Sequence, residues 1–143
     1  MPEATPDDAP GFLERLGVRS DGPGRLVLEV GPGHLRSLGI AHGGVIASML
    51  DSVMGLAASR SGPADHYLVT AQLTVHFVRP ARAGETVVAS SLVRHAGRKT
   101  AVTQGEVSTA SGELVATASA TFLYLPHSEA TRSRPDRLDP GPS

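Results

Sequence analysis

At 143 residues, 40% of them hydrophobic, the chain is long enough for one folded domain and too short for two ordinary ones. A net charge of −1 and 3% aromatic side chains offer neither the basic patches nor the stacking platforms of a nucleic-acid binder. No apolar run reaches the roughly 20 residues that span a bilayer, and the absence of cysteine excludes disulfides, thiolate catalysis and cysteine-held metals.

Residues 1–10, with prolines at 2, 6 and 10 and no periodicity, read as a flexible lead. They lack the charged-then-apolar pattern of an export signal, so the expected compartment is the cytoplasm. The folded domain is expected over 11–125. A short helix over 11–17 precedes the turn Asp21-Gly22-Pro23-Gly24, and a strand over 25–30 ends at Gly31-Pro32-Gly33. Residues 34–41 form a loop into a long helix running to about Arg60. After the break at 61–65 the period changes to two. Val69, Ala71, Leu73, Val75 and Phe77 alternate with Thr70, Gln72, Thr74 and His76, which predicts a half-buried strand. Further strands follow over 86–95, 100–109 and 114–125, separated by glycine turns, and from Pro126 the composition reverts to that of a disordered tail. One strand, one buried helix and a four-stranded antiparallel meander make an α+β domain.

The long helix carries the chemistry. Val45, Ile46, Met49, Val53, Leu56 and Ala57 recur at three- and four-residue steps as a core stripe, while Ser48, Asp51, Ser52, Gly55 and Ser59 form the opposite one. A carboxylate in so apolar a helix is costly to desolvate unless it is hydrogen-bonded or reactive, and the small residues around Asp51 leave room for something other than protein. His42-Gly43-Gly44 begins the helix without bulky side chains, so its unpaired N–H groups can face a polarised oxygen. Arg79, Arg94, Arg98 and Lys99 lie near strand ends and turns, where they can meet phosphates. The six histidines show no ligand spacing with acids, so no metal is expected, and no Gly-x-Ser-x-Gly elbow occurs.

These residues resemble the hotdog-fold acyl-CoA thioesterases, in the branch of the phenylacetate-degradation and one type of 4-hydroxybenzoyl-CoA thioesterase. The likeness rests on His42-Gly43-Gly44 with an acid nine residues after the histidine, on Phe77-Val78-Arg79-Pro80-Ala81 ending a strand, and on the turn glycines 84, 97 and 112. It implies an antiparallel sheet wrapped around one long central helix and a homodimer or homotetramer. It also implies hydrolysis of a small or medium acyl-CoA thioester, aromatic acyl groups included, with coenzyme A as part of the substrate and no cofactor. Asp51 matches the catalytic carboxylate, Gly43 the residue whose N–H polarises the thioester carbonyl, and His42 the motif histidine. Thr70 falls where some relatives place a hydroxyl beside the catalytic water. Gly44, Arg79, Arg98 and Lys99 are assigned to substrate binding. Arg36 joins them but departs from the pattern: relatives carry Asn or Gln there, and a guanidinium donates hydrogen bonds without accepting any.

Gly43 and Asp51 are eight residues apart, about 12 Å along a helix, so one carbonyl cannot meet both in the same chain. The expected site therefore joins two subunits. The alternatives are a thioesterase for carrier-protein substrates, recognisable by strong salt sensitivity, and a non-hydrolytic acyl-thioester binding protein.

Overall fold

A computed structural model describes residues 11–127. The expected lead, 1–10, and all but the first two residues of the expected tail lie outside the described residues. The chain runs through a short helix α1 (Phe12–Leu16), strands β1 (Arg19–Ser20) and β2 (Arg25–Glu29), and a loop holding the two-residue strands β3 (Leu35–Arg36) and β4 (Ile40–Ala41). Helix α2 (Gly43–Ser61) follows, then β5 (His66–Phe77), β6 (Thr86–Ala96), β7 (Thr100–Thr109) and β8 (Leu114–Pro126).

Six strands form one antiparallel sheet in the order β1-β2-β6-β7-β8-β5. The expected four-strand meander is thus corrected. β6, β7 and β8 are consecutive, but β5 crosses the sheet to pair with β8, and β6 takes β2 as its other neighbour. The crossing leaves β5 as an edge strand beside the helix.

Helix α2 fills the curl of the sheet because its apolar residues cover more than one stripe. Val45, Ile46, Met49, Leu50, Val53 and Met54 are all buried, the last four completely. They pack in one cluster with Leu28, Val87, Val107 and Val115 of the strands. Leu50 and Met54 replace Leu56 as core residues: Leu56 is 49% exposed, beside the turn at Gly22–Gly24, where the sheet gives no cover. Close packing depends on Gly105 in β7, where an added Cβ would come within 3.0 Å of Met54 Cγ. At the far end of the helix, Tyr124 donates from its hydroxyl to the Ala58 carbonyl (2.6 Å).

An ion-pair cluster fastens the β5–β6 connection to the β7–β8 turn. Arg79 Nη2 meets Glu85 at 3.1 Å and Glu113 at 3.0 Å. The Arg82 backbone N–H donates to Glu85 Oε1 (2.8 Å) and, with Arg79, holds that carboxyl below the usual carboxylate range. Its stabilisation is complete above the unfolded carboxylate value of about 4.3 and is lost as pH falls through the lower folded value. Glu85→Gln is expected to cost about 1–2 kcal/mol at pH 7 and much less in acid. Denaturant titrations at both pH values check this; an equal loss at each would contradict it.

Candidate active site

Asp51 lies half-buried in the middle of α2, and Thr70 of β5 donates from Oγ1 to its Oδ1 at 2.8 Å. A bulge makes that contact. Thr70 pairs with Phe122 and Gln72 with Thr121, which leaves Ala71 as the extra residue. Phe122 faces the helix, its ring 3.5 Å from where a Cβ on Gly55 would stand. Past the bulge, Leu73 and Val75 lie opposite the buried Ala120 and Ala118. Thr70, Leu73 and Val75 therefore share the helix side. The expected simple alternation fails here: Val69 and Ala71 are exposed, and Thr70 turns toward the acid.

The start of α2 explains His42-Gly43-Gly44 residue by residue. His42 is the N-cap, with φ −59° and ψ 135°, and its Nδ1 accepts from the Gly44 N–H (2.9 Å). Its carbonyl accepts from the Val45 N–H (2.9 Å), and its own N–H donates to the His34 carbonyl (2.7 Å). An added Cβ on Gly44 would come within 3.0 Å of His42 Nδ1, so the cap needs glycine there. With the next two N–H groups taken, the Gly43 N–H is the first-turn donor without an acceptor among the described residues. A Cβ on Gly43 would stand 3.3 Å from the Phe77 ring, which walls that side.

Gly43 opens into a groove of about 410 Å³ that also presents Arg36, Phe77 and Arg79. Arg36 is exposed at the end of β3, next to the turn into β4, whose tip, Leu38-Gly39, takes left-handed φ angles of 70° and 66°. The turn is tied down where the Ala41 N–H donates to the Ala81 carbonyl (2.7 Å) and the Ala83 N–H to that of Gly39 (3.0 Å). Arg79 is committed to Glu85 and Glu113, so a phosphate there would compete with two carboxylates. Its Nη1 is buried without an acceptor.

Arg98 and Lys99 stand in a separate groove of about 610 Å³ near the end of α2, with Pro63, Tyr124 and His66. The Nδ1 atom of His66 is buried there without a partner. The chain thus groups its candidate residues into three places: Asp51 with Thr70, Gly43 with Arg36 and Arg79, and Arg98 with Lys99. Asp51 does not line the Gly43 groove. Sequence reasoning took Phe77 only as a strand residue of the family motif and His66 only as one of six histidines without ligand spacing. The glycine at 43 leaves the room that the Phe77 ring takes up. No group of three or more acidic or histidine side chains able to hold a metal occurs among the described residues.

The sequence model of the thioesterase superfamily matches residues 38–116, more than half of the chain. The chain belongs to the thioesterase superfamily. The match begins at Leu38, so it takes in Gly43, Asp51 and Thr70 and stops short of Arg36. This thioesterase resembles acyl-coenzyme A thioesterase PaaI of Escherichia coli, with 36% identity over 66 residues, 46% of this chain and 45% of that protein. A mutant structure of the phenylacetic acid degradation protein PaaI from Thermus thermophilus covers 80% of this chain and 98% of its own at 34% identity, with a TM-score of 0.69. The BH2602 protein from Bacillus halodurans, solved with CoA, covers 80% and 75% at 32% identity, with a TM-score of 0.74. The curled antiparallel sheet around α2 is the hotdog fold, and the two PaaI proteins align this thioesterase with the phenylacetate-pathway branch.

Proposed function

We propose that this thioesterase hydrolyses small or medium acyl-CoA thioesters, aromatic acyl groups included, to free acid and coenzyme A at sites shared by two subunits in the cytoplasm. The observation that carries the reading is the division of labour along α2. An oriented carboxylate lies at Asp51 and an unpaired N–H at Gly43, about 12 Å apart on one helix. Each chain therefore offers one half of a site, and a second chain supplies the other. Support for pairing comes from β5, a 12-residue strand at the sheet edge, whose outer backbone groups suit a second copy. A dimer or a pair of dimers satisfies the same requirement.

The chemistry follows from these groups. The Gly43 N–H, at the positive end of the helix, takes the charge that develops on the thioester oxygen. Thr70 binds one oxygen of Asp51 and leaves the other to take a proton from water as that water attacks the carbonyl carbon. The carbon–sulfur bond then breaks, and the proton on Asp51 passes to the departing thiolate. His42 positions the Gly43 N–H by occupying the N–H beside it. Arg98 and Lys99 are the cations assigned to the coenzyme A phosphates. The names of the PaaI relatives and the CoA-bound neighbour support acyl-CoA over other thioesters.

The test is thiol release from phenylacetyl-, hydroxybenzoyl- and short and medium aliphatic acyl-CoAs. Turnover on at least one is expected. Turnover confined to carrier-protein thioesters, or tight binding without any release, would overturn the reading.

A further inference from the structure

The groove at Gly43 is unusual in its polar side chains: both are guanidinium donors. Its walls are apolar, formed chiefly by Ile46, Phe77, Val78 and Val115. Its only charged side chains among the described residues are Arg36 and Arg79, and no carboxylate lines it. Arg79 is taken up by Glu85 and Glu113. Arg36 has no such partner among the described residues, so its guanidinium is the one left open in the groove that holds the polarising N–H.

We propose that Arg36 makes this enzyme selective for acyl groups that end in an anion, a carboxylate on a short apolar spacer being the fitting class. The inference rests on the thioesterase reading above. With the thioester oxygen on the Gly43 N–H, the atoms that reach the rest of a groove of about 410 Å³ lie within a few bonds of the carbonyl. The phosphates of coenzyme A are separated from the sulfur by the whole pantetheine arm, which places them elsewhere. The apolar walls suit the methylene spacer, and a guanidinium grips a carboxylate through paired hydrogen bonds. The tied turn between β3 and β4 fixes the backbone that carries Arg36, so only its side chain is ordered on binding. The product is then a dicarboxylate and free coenzyme A.

The test compares kcat/KM for glutaryl- and valeryl-CoA, and for adipyl- and hexanoyl-CoA, pairs matched in carbon number. The wild type is expected to favour the acidic member. Arg36→Gln should lower the acid-to-neutral ratio roughly tenfold to a hundredfold, and Arg36→Lys should keep part of it. The N-acetylcysteamine thioesters, which carry no phosphate, should show the same change. An equal loss on acidic and neutral substrates would make Arg36 a general donor and overturn the proposal, as would a loss seen only with the CoA thioesters. Failure of every thioester to react would overturn the thioesterase reading together with this one; hydrolysis without acid selectivity would overturn this one alone.

Discussion

Gly43→Pro is expected to lower kcat by about 10²–10³-fold while leaving the chain folded. Gly43 is the first residue of α2, the one helical position where proline fits, because no intrahelical bond uses its N–H. The preceding residue already has the conformation proline demands, with His42 at φ −59° and ψ 135°. The ring displaces Phe77 by a few tenths of an ångström, since a Cβ at that position stands 3.3 Å from its edge. What disappears is the first-turn donor that has no acceptor among the described residues. Gly43→Ala adds the same Cβ and keeps the N–H, so it separates the two effects. If alanine and proline lose activity equally, the Phe77 contact matters and the N–H does not.

Asp51→Asn is expected to lower turnover by about 10²–10⁴-fold with an unchanged melting curve. The amide keeps the size of the carboxylate and its oxygen can still accept from Thr70, so the link between α2 and β5 survives. It cannot take a proton from water. A variant that keeps more than about a tenth of wild-type turnover would remove Asp51 from the mechanism. Single turnover in ¹⁸O-labelled water is expected to place the label in the product acid alone; label in Asp51 would mean that the carboxylate itself attacks the thioester.

Both predictions concern residues that the amino-acid sequence itself singles out, and the reason is local. A helix announces itself through residues three and four positions apart, and an acid within that pattern stands out as a cost, so α2 and Asp51 are legible. The strands β6, β7 and β8 are legible because period-two runs sit between glycine turns. The partner of β5 is not, since pairing with β8 is a contact between distant segments that neither strand encodes alone. The bulge at Ala71 is hidden for a related reason. Alternation assigns faces correctly only while no residue is skipped, and the skipped residue turns Thr70 toward Asp51. Leu56 keeps the helix period yet lies exposed, because it faces the Gly22–Gly24 turn while Met54 and Ala58 on either side of it turn into the core. The pairing of Arg79 with Glu85 and Glu113 also depends on tertiary structure, and among the described residues it leaves Arg36 as the guanidinium of that groove without a carboxylate partner.

The shared site is tested most directly by mixing two inactive proteins, Asp51→Asn and Gly43→Pro, under conditions that exchange subunits. In a mixed dimer one site combines an intact Gly43 with an intact Asp51, and the other site holds both substitutions. Random pairing makes about half of the dimers mixed, so about a quarter of wild-type activity should return. Activity that stays at the level of the separate variants, with exchange verified by native mass spectrometry, would contradict a site built between subunits.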